Sequence, residues 1–237
     1  TTEQEFGRAF SNSGINRESI QLISKCGIQY VGKTRRNKVK HYQYDAEYII
    51  YSAEKSIKDL KADYLDVFLL HRPSPLMHPD EISKAVEVLL NHGKIKYFGV
   101  SNFTNSQFEL ISNKSELYVN QIEFSLTHNN PLFDSSLDHM LTNKIMPMAW
   151  SPLGDIFKND NSKNQRIHLV LDELAIKYKA SKDQLLLSWI LKHPSKIYPV
   201  IGTVKKKRIK ASFVSQKTEV HQIDLSLIHI SDPPTQA

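Results

Sequence analysis

The stretch "DYLDVFLLHRPSP", residues 63–75, decides the fold. Val67 to Leu70 form an unbroken apolar run, as a buried strand does, and it leads straight into His71 and Arg72. Pro73 then forbids the strand from continuing, because it has no N–H to give to a ladder. A buried strand therefore ends on an imidazole. Alone, such a histidine is ordinarily structural, and its meaning depends on what the other strands end on.

Working outward, runs of the same kind recur: "IQLISK" (20–25), "YFGVS" (97–101), "YVNQIEF" (118–124), "IMPMAW" (145–150) and "YPVIG" (198–202). Segments of helical period separate them. In "DAEYIIYSAEKSIKDLKADY" Ile49, Ala53, Ile57 and Leu60 share a face, with Asp45 as the cap. "HPDEISKAVEVLLNHGKI" starts near Pro79 and stops at Gly93, while Thr104 and Ser181 cap two further helices. Strands alternating with helices imply right-handed parallel βαβ units. No Gly-rich dinucleotide fingerprint follows any of these strands, which argues against a doubly wound sheet. The expected class is α/β, a (β/α)8 TIM barrel that is incomplete here, its first two strands and first helix lying upstream of Thr1.

Composition bounds the function. The chain has 237 residues, 40% of them hydrophobic, enough for one sizeable core. No apolar run approaches the ~20 residues needed to cross a bilayer. Cys26 is the single cysteine, so no internal disulfide can form, and a reducing, cytoplasmic setting is expected. The net charge of +6 comes largely from "KTRRNKVK" (33–40) and "KKKRIK" (205–210). No aromatic residues alternate with those lysines, so neither nucleic acid nor membrane is an expected partner.

Both ends are unusual. "TTEQEFGRAF" reads at once as an amphipathic helix with Phe6 and Phe10 four apart, so further residues are expected before it. "LSLIHISDPPTQA" reads as a short β-like run and a Pro-rich tail resembling a translated sequencing adapter. The expected division is a partial barrel over 1–224 and a non-native or disordered tail over 225–237.

In a parallel barrel the chemistry sits at the carboxyl ends of the strands. Those ends are Lys25, His71, Ser101 with Asn102, Gln121, Trp150 with Ser151, and Gly202 with Thr203. Lysine, histidine and amides without a carboxylate or cysteine cluster disfavour metal hydrolysis and glycosidase chemistry. They suit a polar uncharged group such as a carbonyl or carboxamide.

"DYLDVFLLHRP", "GKIKYFGVSNF", "VNQIEFS" and "MAWSPLG", in this order and spacing, resemble the aldo-keto reductases, and most of all their bacterial broad-range oxidoreductase branch. The resemblance runs from Thr1 to about Val220. It implies a barrel oxidoreductase that uses NADP(H) to reduce a small-molecule aldehyde or ketone. In that family a tyrosine protonates the carbonyl oxygen, a lysine lowers the pKa of the phenol, and an aspartate pairs with the lysine. Lys25 matches the lysine and His71 the histidine that orients the carbonyl. Ser101, Asn102 and Gln121 match residues on the nicotinamide carboxamide. Trp150 stands where many members stack a tyrosine on the ring. Ser151 and Leu153 fall in the pyrophosphate loop, and Gly202, Thr203, Lys205, Arg208 and Ser212 in the segment that holds the 2'-phosphate. None of the ten tyrosines matches the proton donor, so this chain alone is expected to be inactive. The other reading of the resemblance is a catalytically silent regulatory or scaffold protein, like the potassium-channel β-subunits. Retention of Lys25, His71, Asn102 and Gln121 favours the enzyme, and no obligate protein partner is expected.

Overall fold

The computed structural model describes residues 1–32 and 37–230. Most of the basic run at 33–36 and the tail at 231–237 lie outside the described residues. The chain divides into two compact units, 1–120 and 121–237.

The first unit runs α1 (Thr2–Ser11), β1 (Ile23–Cys26), β2 (Ile28–Gln29), β3 (His41–Tyr42), α2 (Ala46–Leu60), β4 (Leu65–Leu70), α3 (Pro79–Asn91), β5 (Ile95–Ser101) and α4 (Asn105–Ser112). Strands β1, β4 and β5 lie side by side and parallel, with Lys25 opposite Leu69 and Leu69 opposite Gly99. The short β2 and β3 form an antiparallel pair directly after β1. The helices start where local chemistry permits. Asp45 Oδ1 accepts from Tyr48 N–H at 2.9 Å, and Thr104 and Gln107 form a reciprocal capping box. Ile49, Ala53, Ile57 and Leu60 are buried as their spacing required, each large one contributing about 1.5–3 kcal/mol. At Gly7 helix α1 comes so close to α2 that a Cβ would lie 2.3 Å from the Asp59 carbonyl oxygen.

Strand β6 (Val119–Glu123) crosses the division. The second unit continues with α5 (Ser136–Thr142), β7 (Met146–Trp150), α6 (Ser162–Tyr178), α7 (Lys182–Leu191), β8 (Tyr198–Val200), α8 (Lys206–Val214) and α9 (Gln222–Ile230). Strands β7 and β8 are parallel neighbours, Trp150 opposite Val200. The core of this unit joins Ile167, Leu171 and Leu174 of α6 to Leu185 and Leu186 of α7 and Ile228 of α9.

The β-like run expected after Leu225 is instead part of helix α9. Asp224 accepts from Lys177 Nζ at 2.7 Å and from the Tyr178 hydroxyl, which ties the helix to α6 and lets Ile228 bury. Burial of one helical face outweighs the β preference of its isoleucines. Among the described residues, no helix is long and apolar enough to cross a membrane.

Candidate active site

In the first unit the candidate residues are placed by strand alternation. Ser24 points to the helices, its hydroxyl 3.0 Å from Ser56 Oγ and 2.6 Å from Glu3 Oε1. Lys25 therefore points to the opposite face, together with its partner Leu69 and, two residues on, His71. Gly99 and Ser101 share that face through the β4–β5 register. A Cβ at Gly99 would lie 2.6 Å from the Val119 carbonyl oxygen, so glycine is needed for the strands to pack.

Lys25 and Gln121 lie inside their strands and are not strand ends in the sense expected from the sequence. Ser101 and Trp150 do close β5 and β7, and His71 is the first residue beyond β4, its N–H still donating to the Cys26 carbonyl at 2.8 Å.

The electrostatics of this end are distinctive. Burial pulls the Lys25 ammonium below the ordinary lysine range. Burial first, and then the charges of Lys25, Arg72 and Lys40, lower the His71 pKa to about 4. At neutral pH His71 is thus an uncharged imidazole, with one ring nitrogen a donor and the other an acceptor. Beside it Ser101 is buried, and Asn102 Nδ2 donates to Ser101 Oγ at 2.8 Å. Asn102 has φ +60°, a left-handed conformation that asparagine tolerates better than most residues.

In the second unit Gln121 is buried on β6 and Trp150 is half-buried at the end of β7. Ser151 repeats the Asn102 feature, leaving its strand at φ +53°. The loop after it is pinned: Gly154 N–H donates to the Ser151 carbonyl at 2.8 Å, and Asp155 N–H to Thr127 Oγ1 at 3.3 Å. A Cβ on Gly154 would fall 2.1 Å from Thr127 Oγ1. Leu153 packs against the core of this unit.

Gly202 has open space around it, and Thr203 Oγ1 accepts from Lys205 N–H at 3.2 Å just before α8. Arg208 is exposed, and the Ser212 hydroxyl turns back to the Arg208 carbonyl at 2.9 Å. Lys205 to Arg208 crowd four cations at the positive end of the α8 dipole, with no acidic residue in the first turn. Helices α1, α2, α3 and α7 all carry acidic residues there. A cavity of about 220 Å³ opens nearby between α7, β8 and α8, lined by Leu187, Leu191, Ile201, Ser212, Phe213 and Gln216 among others.

The sequence reading missed the contacts that hold these residues. Tyr44, Gly27, Ser125 and Thr127 brace the loops after β1, β4 and β7. Only the glycines hinted at them, as isolated Gly beside a strand marks a close approach. Among the described residues, no group of three or more His, Cys, Asp or Glu could hold a metal ion.

Known proteins share this pattern. The family described as "Aldo/keto reductase family" matches residues 1–233. The oxidoreductase YdhF of Escherichia coli (strain K12) is 38% identical over 218 residues, covering 89% of this chain and 71% of the relative. A 6-dehydroglucose reductase of Agrobacterium fabrum is 34% identical over 217 residues, covering 90% of this chain and 72% of the relative. The crystal structure of a thermostable aldo-keto reductase in complex with the inhibitor epalrestat superposes with a TM-score of 0.82 at 23% identity, covering 97% of this chain and 77% of that one. The fold class expected from the sequence, an α/β barrel of the (β/α)8 type, is the fold of that neighbour.

Proposed function

From the premise that the chain belongs to the aldo/keto reductase family and is an oxidoreductase of it, we propose that it takes part in reducing a small-molecule aldehyde or ketone with NADPH. The nicotinamide cofactor supplies the hydride when bound. The observation that carries the reading is the pair on one sheet face, Lys25 and a neutral His71.

An uncharged imidazole can donate a hydrogen bond to a carbonyl oxygen and orient it without adding a proton of its own. The Lys25 ammonium, desolvated, favours ionisation of a neighbouring phenol and so brings a proton donor closer to working pH. The family draws that phenol from a tyrosine whose position none of the ten tyrosines here occupies. The chain alone is accordingly proposed to be inactive, since loss of a general acid by itself commonly costs ~10²–10⁴ in rate. Ser101, Asn102 and Gln121 are assigned to the carboxamide, Trp150 to stacking on the ring, and Ser151 and Leu153 to the pyrophosphate loop.

The choice of NADPH over NADH rests on α8. Four cations at a helix N-terminus oppose the helix dipole, and a phosphate dianion there would reverse that penalty. Thr203, Lys205, Arg208 and Ser212, with Gly202 leaving room for backbone approach, are assigned to the 2'-phosphate. The small-molecule carbonyl is the only partner this reading requires. Cytoplasmic action is part of it, since buried Cys26 suits a reducing compartment. The relative named 6-dehydroglucose reductase makes oxidised sugars a first substrate class to try.

Cofactor titration followed by fluorescence tests the proposal, with NADPH oxidation recorded over a panel of aldehydes and keto sugars. NADPH should bind well ahead of NADH, and Arg208→Ala should remove roughly 1.5–3 kcal/mol of that preference, the worth of a charge-assisted hydrogen bond. Failure to bind either cofactor would overturn the reading, and equal binding would overturn the assignment of α8.

A further inference from the structure

We propose that Tyr44 is a positioning residue that clamps the ends of β1 and β4 together and so sets the geometry of Lys25 and His71. The proposal deepens the carbonyl-reductase reading and rests on it for what the clamped residues do.

The clamp is visible in contacts from one ring. Tyr44 lies between β3 and the Asp45 cap of α2 and is only 6% exposed. Its hydroxyl donates to the Arg72 carbonyl, and the Arg72 N–H donates back to it at 3.3 Å. Arg72 stands between the last ladder bond of β4, made by His71, and Pro73, which has no N–H. The phenol thus takes over where the ladder stops, and the backbone on both sides of the His71 side chain is fixed.

The hydroxyl edge of the ring also lies against β1's exit. Gly27 has φ +113°, and a Cβ there would fall 2.1 Å from Tyr44 Cε1 and 2.3 Å from its Cζ and Oη. The neighbouring Gln43 N–H donates to the Gly27 carbonyl at 2.9 Å. Gly27 is two residues after Lys25, so the same ring that holds Arg72 also holds the end of the Lys25 strand. Burial raises the pKa of this phenol above the ordinary tyrosine value, so it remains a protonated donor at working pH. Its hydroxyl is already engaged with the Arg72 backbone, which separates Tyr44 from the proton donor of the reaction.

Tyr44→Phe keeps the ring and deletes the hydroxyl. In the whole protein the His71 imidazole, followed by NMR, should then titrate higher, moving from about 4 toward the ordinary value near 6.5 as water enters a loosened strand end. Turnover should fall by roughly tenfold or more, the penalty of a small misplacement. In a His71→Asn background the same change should cost nothing further, because Tyr44 acts through His71. A purely structural tyrosine would lower the melting temperature, leave the His71 titration in place and give losses that multiply. Either an unmoved titration or multiplied losses would overturn the proposal. Amide exchange on the unaltered protein reads the clamp even if the variant fails to fold. The Arg72 amide should be protected like that of His71, and free exchange there would overturn the idea. Absence of any turnover by the whole protein, proton-donating tyrosine included, would defeat the reductase reading alone, since the titration and the exchange still decide the role of Tyr44.

Discussion

Asp66 and His71 stand five residues apart on the β4 segment, and their surroundings are opposite in kind. At the start of the strand Asp66 accepts from Arg17 at 2.7 Å, from the Leu22 N–H at 2.8 Å and faces Lys96 Nζ at 3.3 Å. Arg17 and Lys96 also lie over the Tyr64 ring, at 3.9 and 4.1 Å from its centroid. Burial works against this carboxylate, and the Leu22 N–H with the two cations outweighs it, so its pKa is held below the usual range. At the far end the cations Lys25, Arg72 and Lys40 surround a group that could itself become a cation, and burial adds to the effect. One end satisfies its charge and the other withholds compensation. The first arrangement stabilises a strand, and the second keeps a side chain uncharged at neutral pH, the state that the proposed carbonyl chemistry would use.

The largest expected effect tests the satisfied end. Asp66→Ala leaves Arg17, also largely buried, without its carboxylate, and breaking such a pair costs about 3–5 kcal/mol. Urea unfolding should show that loss while cofactor affinity of the folded protein is unchanged. A loss under 1 kcal/mol would mean that the start of β4 is no more stability-bearing than an exposed ion pair.

The two ends should also separate on a pH axis. His71 titrates near 4 when folded and near 6.5 when unfolded, so the unfolded chain takes up the proton first as acid is added. Stability tied to His71 is therefore complete above about pH 6.5 and lost between that value and about pH 4. Asp66 also has a depressed folded pKa, so its contribution survives that window and is lost only below the ordinary aspartate value of about 3.9. His71→Asn should abolish the upper descent in a plot of unfolding free energy against pH, and Asp66→Asn the lower one. A single descent unaffected by His71→Asn would show that the histidine is not desolvated.

This division was only half legible in the sequence. The apolar run of β4 announced itself because four consecutive side chains had to be buried; it stops at Leu70 as the strand does, while the strand begins two residues earlier, at Leu65. Lys25, read as a strand end, lies one residue inside β1, whereas the place of His71 just past the strand was legible because a terminating proline is a local rule. The bracing of His71 was not, since Tyr44 reaches Arg72 from 28 residues away and nothing local marks the contact. The β2–β3 pair was missed because two-residue strands are too short to carry a period. The last helix was misread because its isoleucines favour a strand until α6 and its neighbours offer Ile228 a core to enter. What sequence alone cannot price is the neighbour that lies far away along the chain.

The smallest expected effect sharpens the comparison most, because it pits two lysines against each other. Lys96 faces Asp66 with its side chain half exposed, and hydrogen bonding to Tyr64, opposed by slight burial and aided by Asp66, raises its pKa. Lys25 is shifted the other way by burial. Lys96→Met should change unfolding free energy by no more than the scatter between repeats, since solvent screens an exposed ammonium and Asp66 keeps Arg17 and the Leu22 N–H. Lys25→Met, by removing a desolvated cation beside His71, should leave stability equal or higher and move the His71 titration upward. If the two substitutions behaved alike in both measurements, the ends of β4 would not differ in the way their charges imply.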